Sequence, residues 1–266
     1  MILTGIKNKL PLVLAIGAAL VVALLVLAWF WLRPTLSFGI DPATAPNFVT
    51  ANVVDLKSYG GVSKFRSGAG HDFSGGGESC RSMKHYFLPI LTEGRVDDPS
   101  KIPQTIDPAS NLPIVAPFDG EVTAIQSEQY PLGKQIYLRP TGYVSYMVRL
   151  FHVYPLDTLT VGSKITAGER IGSVLPWQQT DIAVQVMTLS GPQFISYFDV
   201  LADSAAAAYN DRSADVPEDF IISRQTRDQN PLSCNGEEFT NKDTMTGDHW
   251  YFFSDYTPPS QQQYSN

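Results

Sequence analysis

The sequence has few of the residues that metal sites and nucleic-acid surfaces usually need. It contains four histidines and two cysteines among 266 residues, too few for a cysteine-rich zinc framework. Positive charge is also short: beyond Arg33 the chain carries all 26 acidic residues and 16 of the 19 basic ones, a formal charge of −10. Because binding to phosphate backbones depends on Lys and Arg, we expect no nucleic-acid partner.

Charge is absent altogether from residues 11–32, PLVLAIGAALVVALLVLAWFWL. At 1.5 Å per residue, a helix of this length crosses a hydrocarbon core of about 30 Å. Lys7 and Lys9 precede the segment and Arg33 alone follows it closely, so the positive-inside rule predicts a cytoplasmic N-terminus, residues 1–10. The bulky residues that follow lack a small-residue cleavage site. We therefore expect an uncleaved single-pass anchor in the cell membrane, with the main domain extracytoplasmic.

Beyond this segment the composition changes twice. Residues 33–60 are rich in Pro and small residues and predict a stalk. Residues 61–201 contain short β-rich runs, such as KQIYLRP and YVSYMVRLFHVY, separated by turn residues. Residues 202–266 predict a short helical and loop-rich extension. The expected fold class is mostly β, an antiparallel sandwich or barrel-like core with one N-terminal transmembrane helix.

The two cysteines, Cys80 and Cys234, both lie in the part expected outside the cytoplasm. An oxidising compartment permits a disulfide between them, and two separate buried thiols are the alternative. A further hypothesis makes Cys80 a nucleophile with His85 as its base, since Arg81 and Lys84 are near enough in sequence to lower the pKa of the thiol. A disulfide would remove that thiol, so these two hypotheses exclude each other.

Four central segments follow one another in a recognisable order: IVAPFDGEVTAI, LFHV, VGSKITAGERIGSVL and DIAVQVMTLSG. Together they resemble the core of lysostaphin-type (LytM-like) zinc metallopeptidases, which cleave peptidoglycan cross-links, over residues 64 to 201. The resemblance implies a peptidase-like β domain at 61–201. Lipoyl and biotinyl carriers share the glycine pattern of VGSKITAGERIG, but they need a modifiable Lys on an exposed hairpin, and Met83-Lys84 lies upstream among loop signals. We therefore favour the peptidase-like fold.

In the family that the chain resembles, an H-x-x-x-D segment and the second His of an H-x-H strand hold zinc and leave one position for water. Aligned on GAGHDFS, Asp72 fills the Asp position and Gly68 stands at the His position, with His71 beside Asp72. Aligned on DIAVQV, Asp181 and Ala183 stand where the two histidines belong. A methyl group cannot coordinate a metal. The resemblance thus implies a degenerate site with no cofactor expected, and Asp72 and His71 are the candidate ligands if zinc binds a rearranged site.

His152 in RLFHV matches a family histidine that supports catalysis without binding zinc, so His152 and Asp181 are the candidate catalytic residues. Strand alternation groups His152 with Val148 and Leu150, beside hydrophobic neighbours, and a structural histidine is therefore the alternative. A displaced metal site is a further hypothesis. Its candidate ligands are His71, Asp72, His85, His152 and Asp181.

From these features we expect a membrane-anchored, extracytoplasmic, peptidase-like domain that is catalytically degenerate. Its expected partners are peptidoglycan or other cell-envelope material, or an envelope protein. One alternative is an active zinc metalloendopeptidase that acts on peptidoglycan cross-links through a rearranged site. Another is a purely structural envelope protein. Bound zinc and chelator-sensitive cleavage would distinguish the first two.

Overall fold

The computed structural model describes residues 10–32, 44–90, 111–128, 133–240 and 245–258. Within these ranges the chain is mostly β, which confirms the predicted fold class at this level. The strands are β1 (Tyr59–Ser63), β2 (His85–Pro89), β3 (Leu112–Val115), β4 (Gly120–Ser127), β5 (Lys134–Pro140), β6 (Tyr146–Pro155), β7 (Lys164–Ile165), β8 (Arg170–Val174), β9 (Thr180–Thr188), β10 (Gly191–Ile195), β11 (Cys234–Asn235), β12 (Glu238–Phe239) and β13 (Trp250–Phe252). The helices are α1 (Leu10–Leu32), α2 (Asp203–Asn210) and α3 (Arg224–Gln229), with 3-10 turns at Leu56–Ser58, Tyr197–Val200 and Glu218–Phe220.

Most of the described strands belong to one antiparallel sheet. Its main path runs β13, β1, β2, β9, β6, β5, β4, β7, while β10 pairs with β9. β8 links β6 to β3, and β11 and β12 form a separate small ribbon. Strands β2, β9 and β6 therefore lie side by side near the middle of the sheet, although they are far apart in sequence.

Alternation along the central strands gives the sheet an apolar face. Ile182, Val184 and Val186 of β9 are almost completely buried and pack in the main core with Val148 and Leu150 of β6. Burial of each such side chain contributes about 1.5–3 kcal/mol. A slip of one residue would move all of them to the opposite face, so this core fixes the register of β6 and β9.

The core also includes part of the segment 33–60, which its composition predicts to be a stalk. Phe48, Val49 and Val53 are buried there, and Val49 forms a parallel bridge with Leu201. From residue 44 onward this segment is therefore packed against the sheet. Its few apolar residues follow no strand or helix period, which is why the sequence pattern does not reveal them. Residues 33–43 lie outside the described ranges.

The described parts of the extension 202–266 pack on the same body. Tyr209 of α2 is fully buried, and the rings of Phe198 and Phe220 stack with centroids 3.9 Å apart. β13 pairs with β1 at the edge of the sheet and buries Trp250. The extension thus adds both core volume and an edge strand.

α1 carries its apolar side chains on the outside. Its side chains are described for residues 14–27, where Leu14 is 65 % and Leu24 is 64 % exposed. Across the described residues we find no helix with the combined length and apolar character that membrane crossing requires. The span at 11–32 stays a prediction, and the cytoplasmic segment 1–10 falls almost wholly outside the described residues.

The predicted disulfide is confirmed, because Cys80 and Cys234 are bonded to each other. It joins the loop before β2 to the β11–β12 ribbon, across 154 residues of sequence. Cys80 consequently has no free thiol, and the hypothesis of a Cys80–His85 nucleophilic pair is wrong.

Candidate functional site

The face of the sheet opposite the core carries a group of polar residues. Asp181 of β9 lies opposite Phe151 of β6 on one side and opposite Tyr86 of β2 on the other. Ala183 lies opposite Arg149, one step along the same face. Since side chains on a strand alternate, these residues share a surface, which we call the cleft.

His152 joins the cleft because β6 contains a β-bulge. Lys134 of β5 pairs with Val153 and Ile136 pairs with Leu150, so two steps in β5 face three steps in β6. His152 has a left-handed φ of 62°, and the extra residue returns Val153 to the core in its place. The expectation that alternation places His152 beside Leu150 is therefore wrong, since the bulge resets the alternation.

Gly133 makes room for this bulge. Its φ is +109°, and a Cβ at this position would lie 2.5 Å from the carbonyl carbon of His152 and 2.6 Å from its oxygen. Glycine tolerates both the positive φ and the close approach. The position of His152 therefore depends on a residue outside its own strand.

An ammonium group lies within the cleft. Nζ of Lys84 is 2.5 Å from Oδ2 of Asp181, and the two side chains are 2 % and 0 % exposed. The same Nζ lies 4.3 to 4.9 Å from the ring centroids of Phe73, Tyr86 and Phe151. Ring faces attract cations, and the carboxylate compensates for the lost hydration. Lys84 is thus a fixed internal positive charge.

His71 makes a second contact with this ammonium. Its Nε2 is 3.2 Å from Nζ of Lys84, and its Nδ1 is 3.0 Å from the carbonyl oxygen of Asp72. Because Nδ1–H donates to that carbonyl, Nε2 is the acceptor for Lys84. Burial lowers the pKa of His71, and the charge of Lys84 lowers it further. Gly70 lets this loop pass close to Tyr86, since a Cβ there would lie 2.1 Å from the Tyr86 hydroxyl.

Asp72, a candidate zinc ligand by resemblance, makes structural hydrogen bonds instead. Its carboxylate accepts the backbone N–H groups of Cys80, at 3.2 Å, and Arg81, at 3.0 Å. These bonds order the loop beside the disulfide. The carboxylate of Asp72 thus binds backbone N–H groups, while the ring of His71 contacts Lys84. The two side chains do not converge on one point as metal ligands would.

The two candidate catalytic residues, His152 and Asp181, do meet. Nε2 of His152 is 3.3 Å from Oδ1 of Asp181, and Nδ1 is 2.8 Å from Oε2 of Glu128. Burial alone would lower the pKa of His152, but Asp181 and Glu128 outweigh it and the pKa is raised above 6.5. Asp181 faces Lys84 with one oxygen and His152 with the other; these are close charge contacts without the alignment of hydrogen bonds.

His85 lies on the opposite side of the sheet from Lys84. Its Nδ1–H donates to the carbonyl oxygen of Ser63, and its Nε2 accepts the hydroxyl of Ser196, both at 2.8 Å. Burial lowers its pKa to about 4, so the ring is neutral near pH 7. The hypothesis of a displaced metal site that includes His85 is therefore wrong, because both ring nitrogens hold structural contacts in the core.

Arg149 brings a second cation to the cleft. Its guanidinium lies 4.9 Å from the ring centroid of Tyr137 and 5.0 Å from that of Phe151. One nitrogen, Nη2, donates to Oε1 of Gln135 at 2.8 Å. Phe151 is thus shared by two positively charged side chains, Arg149 and Lys84.

The donors in the cleft do not fit a zinc ion. A catalytic zinc needs three protein ligands and an open position. Across the ranges that the structure describes, no group of three or more His, Cys, Asp or Glu side chains could hold a metal. Ala183 offers only a methyl group, and the ammonium of Lys84 contacts both Asp181 and His71. What this arrangement can supply is positive charge and hydrogen bonds to a ligand.

Sequence reasoning did not single out Lys84, Glu128 or Arg149 as residues of the cleft. A signal for Lys84 exists, because alternation in KHYF places Lys84 and Tyr86 on the face opposite His85. Lys84 is also too buried to serve as the modifiable Lys of a carrier domain. Glu128, just after the end of β4, has no such signal, since only the folded sheet brings it to His152.

Comparisons with known proteins give likeness of fold over part of the chain. No family model matches the chain, and no curated protein matches its sequence. The solution structure of lysostaphin matches with a TM-score of 0.34 and 14 % identity, over 55 % of this chain and 52 % of lysostaphin. A protein described as a glycyl-glycine endopeptidase, LytM, of Ruminococcus gnavus matches with a TM-score of 0.30 and 12 % identity, over 44 % of each chain.

A third similar structure is that of the SpoIIQ–SpoIIIAH pore-forming complex. A chain of that complex matches with a TM-score of 0.38 and 9 % identity, over 62 % of this chain and 97 % of that one. The present chain spans about half the length of the lysostaphin and LytM structures that it matches. At these identities the likeness concerns the fold alone.

Proposed function

We propose that this chain is a membrane-anchored, extracytoplasmic domain whose cleft binds cell-envelope material or an envelope protein without hydrolysing it. The observation that carries the proposal is the ammonium of Lys84, held 2.5 Å from Asp181 and 3.2 Å from Nε2 of His71. A side chain thus supplies the positive charge that a metallopeptidase takes from its metal. Unlike a metal ion, an ammonium has no open coordination position at which to activate water.

Electrostatics supports the absence of a metal from this arrangement. Two unit charges 4 Å apart interact with about 4 kcal/mol at an effective dielectric constant of 20, so a divalent ion beside Lys84 would be repelled by roughly 8 kcal/mol. The carboxylate of Asp181, which would have to offset this repulsion, is already in contact with Lys84 and His152. A metal would have to displace the lysine from a nearly fully buried position.

His152 is also unsuited to act as a general base. A base must present an unprotonated nitrogen to the water or nucleophile that it activates. Both ring nitrogens of His152 face carboxylates, Glu128 at 2.8 Å and Asp181 at 3.3 Å. The charge of Asp181 and the hydrogen bond to Glu128 favour the doubly protonated ring, which has no lone pair to offer.

The first test compares metal content with activity. We would purify the full chain in detergent, measure bound zinc, and incubate the protein with cross-linked peptidoglycan with and without a chelator. The proposal predicts no stoichiometric zinc and no cleavage. Stoichiometric zinc together with chelator-sensitive cleavage would overturn it in favour of the active endopeptidase.

A binding measurement separates the remaining alternatives. The full chain would be incubated with purified peptidoglycan sacculi and, separately, cross-linked in native membranes to capture envelope proteins. Retention on sacculi, or a stoichiometric membrane partner lost in an Arg149→Gln variant, supports the proposed binding role. If the chain binds neither, the purely structural envelope role replaces it.

Membrane anchoring is the second half of the proposal, and residues 11–32 support it. They carry no charge, and the described side chains of α1 expose large apolar groups such as Leu20 and Leu25. We expect the full chain to stay with membranes through an alkaline carbonate wash, and a variant that lacks residues 1–33 to be released. Accessibility of residues 44–258 to protease from the outside only would support the expected orientation, and release of the full chain by carbonate would refute the anchor.

A further inference from the structure

A cavity of about 620 Å³ lies outside the cleft. It opens beside Lys64, just after β1. Residues from the segment 221–230, which includes α3, line one side, and Asp248 and His249, just before β13, line the other. Its volume is in the range of small-molecule sites. Among the described residues, its charged lining consists of Lys64, Arg227 and Asp248, and none of these belongs to the group around Lys84 and Asp181.

Arg227 gives this cavity a buried positive charge. The residue is 7 % exposed, its Nε donates to the carbonyl oxygen of Arg66 at 2.7 Å, and its Nη1 donates to that of Asn230 at 2.9 Å. These bonds fix the guanidinium, yet no described carboxylate is at ion-pair distance. Burial lowers the pKa of Arg227 and the charge of Arg81 lowers it further, while the charge of Asp248 opposes them. The charge of Arg227 is therefore only partly compensated.

Lys64 places a second cation in the lining. Its backbone N–H donates to the carbonyl oxygen of His249 at 2.8 Å, which fixes the start of the side chain. Among the described residues its ammonium forms no ion pair. Nδ1 of His249 accepts the N–H of Gly68 at 2.8 Å, so this ring is neutral. With Lys64 and Arg227 positive and Asp248 negative, the described residues of the lining carry a net charge of +1.

The rest of the lining includes apolar surface. Ile221 and Ile222 line the same cavity, immediately before the cap of α3. A ligand that combined one negative charge with an apolar body would satisfy both parts of the lining. A dianion, such as a phosphate monoester, would leave an excess negative charge beside Asp248.

We propose that this cavity binds a small organic monocarboxylate, with its carboxylate on Lys64 and Arg227 and its apolar body on Ile221 and Ile222. The guanidinium and ammonium supply charge-assisted hydrogen bonds to the carboxylate oxygens. This site is independent of the proposed cleft function, because it would exist whether or not the cleft holds a metal.

The test uses N-acetyl-L-leucine and its neutral amide, N-acetyl-L-leucinamide, as probes of equal shape. The full chain in detergent is titrated with each probe by calorimetry, and methyl NMR follows Ile221, Ile222 and Met147. Met147 shares the cleft face of β6 with Arg149. We expect the carboxylate to bind about tenfold more tightly than the amide, since a hydrogen-bonded charge contributes roughly that factor. The methyl signals of Ile221 and Ile222 should move and that of Met147 should not.

A Lys64→Gln variant tests the lining while leaving the backbone bond to His249 intact. It should reduce the preference for the carboxylate about fivefold, since one of the two cations is lost. The matched control is Lys57→Gln, which removes an exposed lysine outside the cavity and should bind both probes as the parent does. Any one of four results would overturn the proposal: the two probes bind equally, neither probe binds, only the Met147 signal shifts, or Lys64→Gln keeps the full preference for the carboxylate.

Discussion

Lys84 is the residue on which the chemistry of the cleft depends most. Its side chain is nearly inaccessible, contacts the carboxylate of Asp181, and lies among three aromatic rings. Removing one partner of such a pair leaves the other charge buried without compensation, which is far more costly than losing an exposed ion pair. The side chain therefore has a structural role in addition to its proposed role as the positive charge of the cleft.

We predict that Lys84→Met lowers the free energy of unfolding by about 3–5 kcal/mol, because the carboxylate of Asp181 loses its buried counter-charge. Urea denaturation measures this loss. The matched control is Lys164→Met, because the side chain of Lys164 is 81 % exposed in its ion pair with Glu121. This substitution should change the free energy of unfolding by less than about 1 kcal/mol. A loss in Lys84→Met no larger than in the control would show that the buried pair is not a main source of stability.

His152 is the second residue whose environment makes a measurable prediction. Its pKa is raised because Asp181 and Glu128 together outweigh burial, so the folded state binds the proton more tightly than the unfolded state does. This contribution to stability is fully present below the unfolded pKa of about 6.5 and is lost as the pH rises through the folded pKa. NMR titration of the ring should give a pKa above 6.5, and Glu128→Gln should lower it. A ring pKa in Glu128→Gln equal to that of the parent would contradict this assignment.

At the scale of single elements, the bulge in β6 decides which side chains enter the cleft. One extra residue turns His152 toward Asp181 while Leu150 and Val153 both stay in the core. The bulge in turn rests on the backbone of Gly133, the residue before β5. Bulges are common beside functional sites because they redirect a side chain without breaking the sheet.

We predict that Gly133→Ala displaces this bulge, because the new Cβ would lie 2.5 Å from the carbonyl carbon of His152 at a φ of +109°. The expected loss is about 2–3 kcal/mol, and the pKa of His152 should move toward its ordinary value. Gly142→Ala is the control, since Gly142 also has a positive φ, +84°, but no neighbouring atom lies within 4 Å of the point that its Cβ would occupy. Denaturation and NMR would measure both variants, and equal effects on stability and on His152 would argue against the close approach as the cause.

At the scale of the whole molecule, the C-terminal extension and the sheet form one body. The disulfide ties the loop before β2 to residues that follow α3, and β13 closes the edge of the sheet beside β1. The loop that carries His71 and Asp72 lies between these attachments, and the N–H of Asp72 donates to the carbonyl oxygen of Glu237. The extension therefore also holds one wall of the cleft.

We predict that replacing both Cys80 and Cys234 with Ser lowers the free energy of unfolding by about 2–5 kcal/mol, since the bond closes a loop across 154 residues. Guanidinium denaturation with and without reductant measures the effect. Reductant should destabilise the parent to a similar degree and leave the double variant unchanged. Unchanged stability of the double variant would mean that packing alone holds the extension in place.

The sequence by itself determined the features that depend on neighbouring residues or on composition. The lack of charge makes residues 11–32 apolar, and the short β-rich runs predict an antiparallel β fold. Alternation in DIAVQV places Asp181 and Ala183 on one face and Ile182 and Val184 on the other. Ala183 also removes a metal donor whatever the fold. These properties follow from local chemistry, so they can be derived before any contact is known.

The tertiary structure decided which charges meet. The bulge at His152 depends on Gly133 across the strand pair, and the pairing of Lys84 with Asp181 depends on β2 lying beside β9, almost a hundred residues later in the chain. Phe48 and Val49 likewise join the core only through contacts that no periodic pattern predicts. Burial and electrostatic compensation are set by distance in space, and therefore only the folded arrangement could show that the ammonium of Lys84 lies between Asp181 and His71.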